Sequence, residues 1–484
     1  MILSFRSRLA RAAAASLLIA GAAAALPACT SRDVAAPVSG APGSFNAAQV
    51  DAMLHTLSDA PSHGFQPGAF GGPHLAERVR SDDRAAQAEL RRAVLAYAAA
   101  LHGHAIPKNA YDPAWGERAP PYDAEAEFTR AAKGGRLQAW LEALPPDVAP
   151  YQALRAAYAD YGRIVRAGGW APLPIANDLT LGARGPQVAA LRDRLAVEDP
   201  KAAKADAADV FDPGLVEAVK RAQLRYGQRP TGVADADLRA ALDVPAQARL
   251  AQIRANLERL RWLPRERPAT RIDVNSAAGE VHVYRDGEVV LSMLAASGKP
   301  GDETPMLASS IDQVVLNPTW NVPDQIAEQE LLPKGEAYLQ SHGFVMNPPG
   351  EGVMLTQAPG PQNALGQVKF LFDNPFAVYL HDTPSRAAFA QEQRSVSHGC
   401  VRLAEARALA HLLLDGQPGW SAQRVDAVLA GDQTTTVKLK SPVPVFIGYF
   451  TVYPSSLGLA FRPDVYGWDT EVLRRLDAET AGRA

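Results

Sequence analysis

The apolar periodicity of this chain changes once, at Trp262-Leu263-Pro264, and that change limits the folds open to it. Before it, apolar residues recur at helical spacing. Val50, Met53, Leu54 and Leu57 mark one helix. Leu90, Val94, Tyr97 and Leu101 mark a second, with Ser81 as its N-cap and Gly103 as its stop. A third runs over 151–164, and Leu250, Ile253, Leu257 and Leu260 place another over 247–262, ending before Pro264. After it, short β-rich runs predict strands. Val281-His282-Val283-Tyr284 and Val289-Val290-Leu291-Ser292-Met293 flank Asp286-Gly287, a pair suited to the positive φ angles of a tight hairpin turn. Further strands are expected over 313–316, 368–372, 378–380, 434–439 and 444–451. A chain of 484 residues has room for two to four domains at roughly 100–200 residues each.

The helical part divides again. Residues 45–168 read as an all-α scaffold without evident chemistry; His55, His74, His102 and His104 are scattered along it. Residues 173–245 read as turn, helix, helix, turn, short helix. Gly182-Ala183-Arg184-Gly185-Pro186-Gln187-Val188 with Leu191 opens the unit, and Ala222-Gln223 and Thr231-Gly232-Val233 follow. This pattern resembles three-helix peptidoglycan-binding modules; a spacer that orients the next domain is the other reading. Residues 250–484 form the strand-rich domain, interrupted over 324–360 by a polar, Pro/Gly-rich, partly helical insertion read as a lid.

The first residues read as an export signal. Arg6, Arg8 and Arg11 precede an Ala/Leu/Ile run too short for the ~20 apolar residues of a membrane span. The run ends in Leu26-Pro27-Ala28-Cys29, which resembles a bacterial lipobox and makes Cys29 a lipidation site; an ordinary cleaved signal is the alternative. On the lipobox reading, 1–28 is a lipoprotein-type signal peptide, and Thr30 is compatible with outer-membrane sorting from the periplasm. Residues 29–44, rich in Ala, Pro, Ser and Gly, read as a flexible tether. A net charge of −3 without a long basic run argues against nucleic acid as a partner. Membrane attachment is expected through lipid alone.

The chain has two cysteines. With Cys29 acylated, Cys400 has no disulfide partner. It lies in Ser397-His398-Gly399-Cys400-Val401-Arg402, downstream of His381-Asp382-Thr383. Thiolate is the nucleophile of a cysteine enzyme. An imidazole can take the thiol proton and later return one. The oxyanion formed on attack needs donors already in place, and Gly399 lets backbone N–H groups approach a substrate. In an extended segment His398, Cys400 and Arg402 share a face; Arg402 could then grip a substrate carboxylate bidentately. Simpler roles stay open: His398 and Ser397 as loop-shaping residues, His381 as a structural histidine, Arg402 in a salt bridge. A zinc site built from His381, His398 and Cys400 lacks a fourth ligand or a Cys-x-x-Cys pair.

The order His381, spacer, Ser397-His398-Gly399-Cys400-x-Arg402 resembles the signature of L,D-transpeptidases (the YkuD-type catalytic domain). Asn317-Pro318-Thr319-Trp320-Asn321-Val322-Pro323, Gly360-Pro361-Gln362-Asn363-Ala364-Leu365-Gly366, Val368-Lys369-Phe370, Pro442-Val443-Pro444-Val445 and Asp464-Val465-Tyr466 resemble its large periplasmic branch. The resemblance implies a multidomain protein. Its catalytic domain is mainly β, sandwich- or barrel-like, with a lid insertion, beside an all-α scaffold and a three-helix wall-binding module. It implies that Cys400 attacks the third residue of a peptidoglycan tetrapeptide stem, expels D-alanine and passes the acyl group to an amine of a neighbouring stem, giving a 3→3 cross-link. His381 is then the general base and His398 supports it. N–H groups at His398, Gly399 and Cys400 form the oxyanion hole; Asn363, Trp320 and Tyr379 line the donor groove or belong to the core. No metal or organic cofactor is implied, and carbapenems are expected to acylate the thiol. Alternatives with the same acyl-enzyme are an L,D-carboxypeptidase and an attaching or exchanging enzyme; a non-catalytic wall-binding lipoprotein is a third reading.

Overall fold

The computed structural model describes residues 45–481, apart from 81–83, 117–118, 205, 349 and 351. The signal peptide, the tether, Cys29 and Ser81 lie outside the described residues. Among those described, no helix is long and apolar enough to cross a membrane.

The helical half follows the periodicity. Helices form over Ala47–Ser58, Arg84–Ala99 and Ala149–Arg166. Gly103, with φ +82°, ends the turn that follows the second. The three-helix unit comprises Pro186–Ala196, Pro213–Arg225 and Ala236–Asp243. Asp212 and Asp235 cap the last two, each accepting a backbone N–H. Gln223 is buried and clamps the Thr231–Val233 turn: its amide donates to Thr231 Oγ1 and Val233 O, and its carbonyl accepts from Gly232 N. The helix Ala246–Trp262 is covered on nearly all sides. Three of its four buried arginines are matched by acids, Arg254 with Asp477, Arg259 with Asp469 and Arg261 with Glu258, and Arg249 donates to Gln252 and Ala241 O.

The strand-rich domain contains β1 (Arg271–Asn275), β2 (Glu280–Arg285), β3 (Glu288–Gly298), β4 (Leu307–Leu316), β5 (Trp320–Val322), β6 (Phe344–Met346), β7 (Leu355–Gln357), β8 (Val368–Phe372), β9 (Leu380–His381), β10 (Ser395–Ser397), β11 (Val401–Leu403) and β12 (Thr435–Gly448). One sheet runs β10-β3-β11-β9-β8-β4-β12-β1-β2, and an additional β2–β3 pairing closes all of it except β10 into a ring. Eight strands leave an interior that side chains can fill. Ile272, Val281, Ile311, Phe370, Leu380, Val401 and Ile447 fill it, with Leu409, Leu413 and Val425 of the helices Ala406–Leu414 and Ala422–Leu429. The barrel-like expectation is met. The Asp286-Gly287 hairpin is also as expected, with φ +54° and +89°.

Three strand expectations change. The runs 434–439 and 444–451 are one strand, β12, paired with β4 throughout and bulged between Lys438 and Val443. Pro442 lacks a ladder donor, and the bulge absorbs it. The run 313–316 begins earlier, at Leu307. The run 378–380 shrinks to Leu380–His381, because Ala377 takes φ +54° and Asn374 Oδ1 holds the N–H groups of Phe376 and Val378.

Candidate active site

Strand register builds the site. Lys369 on β8 pairs with His381 on β9, and His381 pairs with Arg402 on β11. Side chains alternate along a strand. Phe370, Leu380, Val401 and Leu403 point into the barrel, so Lys369, His381 and Arg402 stand side by side on the outside. Two residues before His381, just ahead of β9, is Tyr379, whose carbonyl accepts from Val401 N at 3.1 Å. That register sets Tyr379 beside Cys400.

The segment carrying Cys400 joins β10 to β11 around the end of β3. It is not uniformly extended, as the shared-face argument assumed: Gly399 has φ +105° and bends it. His398 and Cys400 nevertheless open onto the same cavity, with Arg402 and His381. Thr304 Oγ1 donates to Gly399 O at 2.7 Å, fixing the bend. Ser397 Oγ donates to Cys400 O at 2.6 Å and accepts from Gly399 N at 3.2 Å. Ser397 therefore shapes the loop and orients no imidazole. The Gly399 N–H, one of the three expected oxyanion donors, is already taken by that hydroxyl.

The Cys400 sulfur receives hydrogen bonds from the backbone N–H and the hydroxyl of Tyr379. Burial pushes its thiol above the usual value, against the pull of those bonds and of Lys369 and Arg402. Tyr379 is held from two sides: the Trp320 indole donates to its hydroxyl, and Lys369 Nζ sits 3.7 Å from its ring centroid. Burial lowers both cations, Lys369 and Arg402, from their usual values. Arg402 makes no salt bridge among the described residues, which leaves its guanidinium available to an anion.

His381 is 5 % exposed. Its Nδ1 lies 2.5 Å from Asp382 O, and Leu365 lines the cavity with it. Burial, then Arg402, lowers its pKa to about 3, so the ring is neutral at pH 7. A neutral imidazole beside a protonated thiol can act as base without a preformed ion pair. Asn363, expected as a candidate for the donor groove, belongs to the core. It is buried, donates to the carbonyls of Pro318, Gln357 and Ala358, and accepts from Leu365 N. It thereby fixes the segment carrying Ala364 and Leu365, which line the same cavity as His381.

The insertion roofs the site. It begins after β5, and β5-β7-β6 form a small sheet over Val322, Leu331, Leu339, Phe344 and Leu355. A cavity of about 250 Å³ lies between this roof and the barrel, with Trp320, Tyr379, His381, His398, Cys400 and Arg402 in its lining. His398 faces the roof: its Nε2 is 2.7 Å from Glu330 Oε1 and 3.4 Å from Lys299 Nζ. Sequence reasoning missed Glu330 and Lys369. Lys369 had one signal, a lone cation within the apolar run Val368–Phe372. Glu330 had none, being one acid among several on the insertion.

Comparison with known proteins agrees with this architecture. Residues 269–426 match the L,D-transpeptidase catalytic domain model, 41–158 the scaffold domain model, and 184–242 the model described as "Putative peptidoglycan binding domain". A Haemophilus influenzae protein named "Putative L,D-transpeptidase" is 33% identical over 237 residues, covering 45% of this chain and 48% of its own length. The chain thus spans about half the length of that curated relative. Among solved structures, an L,D-transpeptidase from Mycobacterium smegmatis aligns at 18% identity and TM-score 0.21, over 37% of this chain and 58% of its own. The catalytic domain of the E. faecium L,D-transpeptidase acylated by ertapenem aligns at 14% identity and TM-score 0.21, over 38% and 99%.

Proposed function

For a chain that carries an L,D-transpeptidase catalytic domain with a scaffold domain and a peptidoglycan-binding domain, we propose that it forms 3→3 cross-links in peptidoglycan through a thioester on Cys400. The observation that carries this reading is the cavity holding Cys400, His381 and Arg402 under the insertion. His381, neutral and buried, takes the thiol proton as Cys400 Sγ attacks the donor carbonyl. The same proton then goes to the leaving amine as D-alanine departs. Arg402 and Lys369 receive carboxylates of the donor stem, and Trp320 and Tyr379 line its path. Cys400 N–H is the oxyanion donor we assign, since Gly399 N–H is occupied by Ser397. Carbapenems acylate the same sulfur as donor mimics. The helical module holds wall polymer, and the protein works in the periplasm, anchored to the outer membrane by lipid on Cys29.

Mass analysis of products from purified disaccharide-tetrapeptide tests the reading. Dimer with loss of D-alanine is expected from the wild type and none from Cys400→Ala. Tripeptide alone would identify a carboxypeptidase. Mass spectrometry of the mature N-terminus should find acylated Cys29; an unmodified start elsewhere refutes the anchor.

A further inference from the structure

Transpeptidation has two halves, and the basic row suits only the first. Lys369 and Arg402 match a donor with carboxylates. The second half needs an amine, which arrives in water as an ammonium and must be held and deprotonated before it can attack. Among the described residues lining the cavity, Glu330 is the one acid. Its side chain is 45% exposed, and Oε1 bonds His398 Nε2 at 2.7 Å. Its second oxygen makes no hydrogen bond with a described residue. His398 directly precedes Gly399-Cys400, and the partly exposed pair lines the cavity that holds Cys400. Nε2 also lies 3.4 Å from Lys299 Nζ; we assign its proton to the nearer partner, the Glu330 carboxylate, which leaves the lone pair on His398 Nδ1.

We infer that Glu330 is the seat of the acceptor ammonium and that His398, held by Glu330, takes the proton this ammonium gives up. The inference rests on the reading of Cys400 as the acyl carrier. One ammonium proton passes to His398 Nδ1, and the freed nitrogen lone pair attacks the thioester carbon. The C–N bond forms and the C–Sγ bond breaks. A second proton leaves the nitrogen and returns to sulfur through His381, and the third stays on the new amide. Glu330 thus determines specificity for the acceptor, while His381 serves the thiol in both halves.

The test is the partition of the acyl-enzyme, which cancels any change in its rate of formation. Full-length wild type, Glu330→Gln, Glu330→Asp and, as a control, the exposed neighbour Glu328→Gln are each given disaccharide-tetrapeptide at several concentrations. Dimer and tripeptide are then counted. Glu330→Gln should lower the dimer-to-tripeptide ratio about tenfold and raise the concentration at which dimer formation saturates. Glu330→Asp should recover part of the loss, and Glu328→Gln should match wild type. An unchanged ratio in Glu330→Gln overturns the inference and leaves the acyl-enzyme reading standing. So does an unchanged ratio with faster carbapenem acylation, which would make Glu330 only a latch on the roof. A wild type that forms no acyl-enzyme removes both.

Discussion

Cys400 and His381 line one cavity uncharged, because burial raises one and lowers the other. The sign of the pH dependence follows. The reactive pair, thiol and neutral imidazole, persists from just above pH 3 to the raised thiol value. Carbapenem acylation should therefore vary less than about threefold between pH 5.5 and 8. An imidazole with an ordinary pKa near 6.5 would instead impose about a tenfold loss over its acid limb; stopped-flow traces showing that limb would contradict the assignment. Cys400→Ala should abolish acylation. His381→Ala should cost ~10²–10⁴-fold and more than Ser397→Ala, whose lost hydroxyl bonds only backbone. Equal losses would remove His381 from the base role.

At the scale of elements, the segments around the cavity matter more than their length suggests. Asn363→Ala strands three carbonyls and one N–H in a buried loop. It should lower stability by about 2–4 kcal/mol and acylation further, because the loop it fixes carries Leu365 of the cavity lining; urea unfolding and acylation kinetics separate the two. In Gly399→Ala the new Cβ meets nothing nearer than 3.7 Å. The cost is then backbone conformation, about 1–3 kcal/mol, and falls on the nucleophile loop. These elements also show what was legible. Local chemistry wrote the Asp286-Gly287 hairpin, the Val368–Phe372 strand and the Ser-His-Gly-Cys-x-Arg loop plainly into the sequence. The row Lys369–His381–Arg402 was not legible, since it depends on the register of strands far apart in the chain. Nor was the continuity of β12, where prolines mimic a strand end. Asn363 looked functional because a buried amide serving four backbone groups and a ligand-binding amide read alike.

Over the whole molecule, three histidines among the described residues have lowered pKa values, the buried His63, the half-buried His102 at about 4 and the buried His381 at about 3, with burial the largest cause in each. The unfolded chain binds these protons near pH 6.5 and the folded chain does not. Their contribution to stability is complete above pH 6.5 and is lost progressively below it. The urea midpoint should fall steadily from pH 7.5 to 5; a midpoint that rises would contradict this. The core of the α-helical region also reaches Met306 and Tyr449, which flank strands β4 and β12 of the barrel. Trp115 packs on Trp262 and Trp468, and Trp468 on Tyr449 and Tyr466. Tyr466 donates to Gly298 O at 2.6 Å and accepts from Thr304 N, and Thr304 holds Gly399. Met306 N donates to Ala114 O at 2.9 Å. The consequence concerns severability. A sequence divides this protein into named modules, but a knife drawn at the module borders would cut through the brace behind the nucleophile. Material lacking 45–158 should express as a poorly folded barrel with a slack Cys400 loop, read as lost near-ultraviolet dichroism and lost carbapenem capture. Retention of both would show that the helices are passengers and not part of the frame.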